Sequence, residues 1–373
     1  MPLPISCSGL QALLGERAFS VDRTDYSWED IIVAARAWGD WLALEEEVYQ
    51  GLACVQHMRT GGERPSEDEI EAAANEFRSA RNLISVRQTR TWLRQRRLTT
   101  ENWLRYIRRS LLRQKWAALL PDLVTRYPAD PTQLSRALRI VGICSGHLSR
   151  FAQKLAGRAA VQATLLRETA VATGTGTREE DMQAVLREFK PEAMEPYCLG
   201  LSAEACQKSL EKLACLELSC RRFRGQVASA RALQGQVAVH HTDWVRIEAC
   251  SADFRDLDAA QEAIVCVRHD GEDFAAVAVR AGTTPRRARF FLDELDPELV
   301  PRFLSARPND LVGPVTNAGK IRLFHVLNKV MPSVSDPDIA GRAEQILVQS
   351  AIDQATRNLV QWHCPWYTGR GNN

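Results

Sequence analysis

The sequence predicts an α+β protein: a large helical part, a small module of mixed strands and helices, and a closing helix. Three observations carry this. Helix-start signals and apolar residues at helical spacing crowd the first two thirds of the chain. Past Val237 the pattern changes to short alternating runs separated by turns, and from about Asp338 a last stretch returns to helical spacing.

The starts come first. Ser27 in "SWED", Ser66 in "SEDE" and Ser85 in "SVRQ" each stand three residues before an acid or amide, the pattern of a capping box. Asp130 in "DPTQ" is a further cap, with Pro131 at the first helical position. Behind these caps lie apolar faces: Trp41, Leu42, Val48, Tyr49 and Leu52 in one segment, Trp103, Leu104, Ile107 and Leu111 in another. "TGTGT" (Thr173 to Thr177) reads as a joint between helices, and Ser202 to about Gln234 as a second long helical run. Then "WVRIEAC" is a strand, Asp256 to Gly282 a helix, a turn and a second helix, and Glu298 to Ala306 a short helix. Leu311 to Val315 is extended, Asn317 to Gly319 turns, and Ile321, Leu323, His325 and Leu327 alternate as a return strand. That alternation places Arg322 and His325 on opposite faces. A final amphipathic helix runs from about Asp338 to Gln361.

The bulk properties exclude more than they assign. At 373 residues, 45% hydrophobic and 25% charged, the composition is that of a globular protein of two or three domains. A net charge of +2 supplies no global field for nucleic acid or membrane. No apolar run approaches the roughly 20 residues that span a bilayer, and the first residues do not read as a signal peptide, so a cytoplasmic location is expected. The ten cysteines are then expected as reduced structural thiols, since no C-x-x-C pair occurs. "TGTGT" lacks the Gly-Lys that completes a phosphate loop. His240-His241 and His363-Cys364 each lack a partner cluster, so no metal or cofactor is expected.

The order of segments resembles a known family. Asp256 to Gly282, "DLDAAQEAIVCVRHDGEDFAAVAVRAG", and "ARPNDLVGPVTNAGKIRLFHVLNKVMP" resemble the parvulin (rotamase) pattern and its Gly-Pro-Val ending. Ser66 to Trp116 is similar to the helical peptide-binding domain of SurA-like and PpiC-type chaperone isomerases, and Pro337 to Trp362 to the helix that returns to it. The resemblance covers about residues 26–120 and 240–362. It implies a SurA-like helical domain over 1–120 completed by 338–362, a helical insertion over 121–235, and a parvulin-like α+β domain over 236–332. Active members carry a His on the first strand, a polar or thiol residue after a Gly-Gly loop, and a second His on the last strand. Here Arg246 stands where His precedes Ile, "TTPRRARFFLDEL" replaces the Gly-Gly segment, and Arg322 lies at or beside the last His with His325 three residues on. The resemblance therefore implies a degenerate site without catalytic residues, kept to hold an extended peptide.

The candidate binding residues are Arg246, Arg286, Arg287, Arg289, Phe290, Phe291, Arg322 and His325, guanidinium pairing with carboxylates and rings stacking on rings. Arg87 to Trp116 holds ten Lys/Arg against one acid, Glu101. Its basic face, Arg105, Arg108, Arg109 and Arg113, is open to three readings: a solvated face, a contact for acidic peptide, or a nucleic-acid surface. The expected partner is an acidic precursor peptide, together with a modifying enzyme, as in crocagin-type maturation of ribosomal peptides. An active prolyl isomerase with rearranged residues and a general folding chaperone are the alternatives.

Overall fold

The computed structural model describes residues 11–169, 179–189, 203–317 and 319–364. "TGTGT", Cys7 and Cys198 fall outside them. The fold is α+β, mostly helical with an antiparallel four-stranded sheet, and it divides into two compact units: residues 1–224 with 351–373, and residues 225–350.

The helical unit begins with α1 (Gln11–Leu14), then β1 (Arg17–Val21) and β2 (Thr24–Ser27). There follow α2 (Trp28–Ala37), α3 (Trp41–Arg59), α4 (Glu67–Ser79), α5 (Val86–Gln95) and α6 (Thr100–Lys115). After these come α7 (Leu120–Arg126), α8 (Pro131–Cys144), α9 (His147–Thr169), α10 (Glu179–Glu188) and α11 (Ala203–Val227). Each capping box closes as its spacing requires. At Ser27 the hydroxyl accepts the Asp30 N–H at 3.2 Å while the Asp30 carboxylate accepts the Ser27 N–H at 2.8 Å. Ser66 with Glu69 and Ser85 with Gln88 repeat the exchange. Helix α2 is the centre of the core, with Trp28, Ile31 and Ile32 sealed from water. Even Arg36 on this helix is buried; its guanidinium lies over the Trp41 ring, 5.3 Å from the centroid, and 3.5 Å from Glu45.

One small sheet in this unit has no counterpart among the sequence expectations. Strands β1 and β2 form a hairpin whose turn holds Asp22 at φ 51°, a left-handed conformation that Asp tolerates better than most residues. Phe19 stacks on Tyr26 at 4.8 Å. The stretch "AFSVDRTDYS" carries the alternation, but only over four or five residues a side.

The second unit starts with α12 (Ala230–Val239) and continues through β3 (Arg246–Phe254), α13 (Leu257–Arg268), α14 (Phe274–Arg280) and β4 (Arg286–Phe291). Then come α15 (Val300–Ser305), β5 (Leu311–Asn317), β6 (Lys320–Val330) and α16 (Pro337–Leu359). The strands form one antiparallel sheet in the order β4-β3-β6-β5. Both faces are covered. Ala252, Phe254, Leu311 and Leu323 pack on α13 and α14 through Ala260, Phe274 and Val277. Ile247, Ala249, Phe324 and Val326 pack on the other side with Leu292 and Phe303. A bulge at the Glu248/Ala249 position leaves Leu327 without an opposite residue on β3. Asn328 therefore stands across from Glu248, and Val326 from Ala249.

Helix α16 belongs to both units. Its first half serves the sheet unit, where Ile339 and Ala343 are buried with Val237 and Trp244. The expected apolar stripe is thus divided, because Ile339 and Ala343 find their partners in the sheet unit. From Ala351 onward the chain is part of the helical unit, and β7 (Val360–Trp362) adds to β1 as its third strand, Phe19 facing Trp362. No helix among the described residues is long and apolar enough to cross a membrane.

Candidate functional site

The register of the larger sheet decides which candidate residues meet. Side chains directly across a ladder share a face. On the face covered by α13 and α14, Cys250 stands opposite both Arg287 and His325. His325 is 5.7 Å from the Phe274 ring, at the start of α14. Asp273, the N-cap of that helix, accepts the Ala276 N–H at 2.9 Å. Burial pushes the Cys250 thiol above its ordinary range; Asp273 adds to the rise and Arg287 offsets it. Cys250 is therefore a protonated thiol at neutral pH, not a ready nucleophile. Sequence reasoning passed over Cys250, because Ile247 drew attention to the residue before it. The signal that would have found it is pairing: the β3 residue facing His325 is Cys250, while Arg246 faces Val330.

The remaining candidates do not gather there. Arg246 pairs with Asp336 and lies 3.9 Å from Glu248, with only 13% of its side chain exposed. Arg289 holds Asp338 at 2.7 Å. Arg286 and Phe290 point to the opposite face from Arg287 and Phe291, as successive strand residues must. Neither phenylalanine is free. Phe290 packs edge-on against Phe303 at 5.2 Å, and Phe291 lies beneath the Arg342 guanidinium at 3.9 Å. Arg322, on the face opposite His325, forks onto Asp253 at 2.5 and 3.1 Å. That bond holds the Asp253 carboxyl below its usual range and raises Arg322.

At the end of this sheet lies a cleft of about 580 Å³. Its walls come from the last residues of β3, the loop into β4 and the start of β6, and include Arg255, Arg286, Arg287, Lys320, Arg322 and Asp253. In the helical unit the four arginines of the basic face divide as well. Arg105 pairs with Glu101 one turn back, and Arg113 with Glu47 at 3.1 Å and Gln50 at 3.1 Å. Arg108 borders a shallow groove between α4 and α6, and Arg109 is half-buried with its stem against Gly51.

Cys266, Asp270 and Glu272 bring ligand atoms within 4.8 Å of one another, but Arg280 already occupies Glu272 at 2.6 Å. His240 stacks on Trp244, and His363 bonds the Ser20 hydroxyl at 2.9 Å. The eight described cysteines form no disulfide.

No family model matches the sequence, and no curated protein matches it. Among solved structures the chain is similar to PrsA from Bacillus subtilis, at 14% identity over 61% of this chain and 88% of that one, with a TM-score of 0.22. The foldase protein PrsA from Streptococcus pneumoniae str. Canada MDR_19A matches at 16% identity over 56% and 84%, TM-score 0.22. A structure from work on PEB4 and Cj1289, two SurA-like chaperones of Campylobacter jejuni, matches at 10% identity over 60% and 88%, TM-score 0.18.

Proposed function

We propose that this protein holds an extended, acidic peptide on its four-stranded sheet and has no need of catalysis to do so. One observation carries the reading. Strand β4 is an edge of the sheet, and it presents two guanidinium groups, Arg286 and Arg287, that have no hydrogen bond or ion pair among the described residues. An edge strand offers a row of backbone donors and acceptors to an added strand. Unpaired guanidinium groups beside that row select for carboxylates. The resemblance drawn from the sequence suggests the client: a ribosomal precursor peptide presented to a modifying enzyme. The test is fluorescence anisotropy with a labelled acidic, aromatic-containing peptide across a salt series. Binding at micromolar affinity or tighter, weakening as salt rises, is expected, because exposed pairs are screened within about 8 Å at 0.15 M. Charge reversal at Arg286, Arg287 and Arg289 should cost more affinity than reversal at Arg105, Arg108 and Arg109. The opposite order moves the client to the helical unit, and tighter binding of single-stranded nucleic acid defeats the reading.

A second reading is prolyl isomerisation, and the pairing of Cys250 with His325 across the sheet favours it. It predicts faster cis/trans exchange of a proline tetrapeptide than the uncatalysed tens to hundreds of seconds, with the acceleration lost in His325→Ala. An unchanged rate removes it.

A further inference from the structure

The cleft at the end of the sheet has a charge imbalance that the fold does not use. Five cations line it against a single acid, Asp253. Arg322 is committed to Asp253, and Arg255 to Asp256 at 2.7 Å. The side chains of Arg286, Arg287 and Lys320 have no hydrogen bond or ion pair among the described residues. Arg286 and Lys320 are nonetheless close enough to help hold Asp253 in its ionised form. Crowding like charges without a counter-charge is unfavourable, so a cleft of this kind gains when an anion enters it.

We propose that this cleft binds two successive acidic side chains of the peptide held along β4. The inference rests on the peptide-holding reading and names what that site selects. The geometry favours a pair of carboxylates over one compact oxyanion. Arg286 and Arg287 are neighbours on a strand, so they reach from opposite faces of the sheet and cannot clamp the same small group. Two neighbouring residues of an added extended chain alternate in the same way and offer one carboxylate to each. Lys320 lines the same cleft from the start of β6, next to Gly319, which at φ 76° has open space beside it. Strand β4 begins at Arg286, so a peptide paired along it leads directly into the cleft.

The test uses the full-length chain and four probes: an extended peptide carrying Glu-Glu, its Gln-Gln counterpart, a version with one phosphoserine in place of the pair, and inorganic phosphate. Glu-Glu is expected to bind about tenfold or more tighter than Gln-Gln, the scale set by charge-assisted hydrogen bonds. In Arg286→Glu/Lys320→Glu that preference should vanish, while Arg105→Glu/Arg108→Glu keeps it. The Gln-Gln comparison needs no protein variant, so a misfolded double mutant does not blunt the test. Equal binding of Glu-Glu and Gln-Gln overturns the cleft and leaves peptide holding intact. A clear advantage for phosphoserine, or binding of inorganic phosphate alone, overturns the carboxylate pair in favour of a phosphate site. Failure of every peptide to bind overturns peptide holding itself, and this inference with it.

Discussion

The helical unit and the sheet unit are both rich in arginine, and each divides it between groups paired within the fold and groups that are not. Of the ten cations between Arg87 and Trp116, five have internal partners among the described residues. Arg97 meets Glu16, Arg105 meets Glu101, Lys115 reaches Glu63 at 2.7 Å, Arg113 reaches Glu47 at 3.1 Å, and Arg96 lies over the Trp92 ring at 4.2 Å. In the sheet unit Arg246, Arg289 and Arg342 are likewise consumed, tying α16 and the Asp293-Glu294 turn to the sheet. In the sheet unit the guanidinium groups of Arg286 and Arg287, without such partners among the described residues, lie together beside one cleft at the end of the sheet. A run of basic residues therefore says little about binding until its internal partners are known.

Three measurements sharpen or break this comparison. The largest effect is expected from Arg113→Met. Glu47, with 15% of its side chain exposed, would keep only His147, 3.1 Å away, as a partner. A loss of about 2 kcal/mol is expected from chemical denaturation, since removing one member of a half-buried pair strands the other. Arg287→Met, with no partner to strand, should stay within about 0.5 kcal/mol of the parent. Equal losses at the two positions would erase the contrast.

The next effect has the opposite sign. Among the described residues the Arg109 guanidinium has no hydrogen bond or ion pair, and its Nη1 is sealed from water. Burial pulls its pKa down to about 10, with Arg105 and Arg59 adding to the fall. A cation whose folded pKa lies below its unfolded value opposes folding at neutral pH, and that penalty fades only as pH rises past the folded value. Arg109→Met should therefore raise stability by roughly 1 kcal/mol. A drop in melting temperature would show that the guanidinium performs a structural service that its surroundings conceal.

The smallest effect concerns acid. The hydrogen bond from Arg322 is the main cause of the lowered Asp253 pKa, so the pair adds stability above the unfolded carboxylate range. That contribution is lost as pH falls below about 4 and through the depressed folded value. Because Arg322 is 39% exposed, solvent screening limits it to under about 1 kcal/mol. Arg322→Met should flatten this part of the acid titration of stability. An unchanged acid profile would mean that Asp253 is not held as its geometry implies.

Much of the local structure was legible in the residues. The three capping boxes are legible because donor and acceptor lie within four residues of each other. The glycine of Val-Gly-Pro-Val was visible as a letter, though not for its reason. Gly313 sits at φ 128°, and a Cβ there would lie 2.8 Å from the Arg322 carbonyl oxygen across the ladder. The β1–β2 hairpin escaped notice because its alternation is short and its third strand, β7, lies more than 300 residues away.

By itself the sequence determined the helix starts, the change of pattern near Val237, and the opposed placement of Arg322 and His325. These depend on backbone periods and on side chains reaching a few residues along the chain. Tertiary structure alone decided that Cys250 faces His325, through a register shifted by one bulge. It also decided which arginines remain available. Arg113 is neutralised by Glu47 and Arg246 by Asp336, partners 66 and 90 residues distant in sequence. Coulombic pairing depends on separation through space, and spacing along the chain carries no record of it.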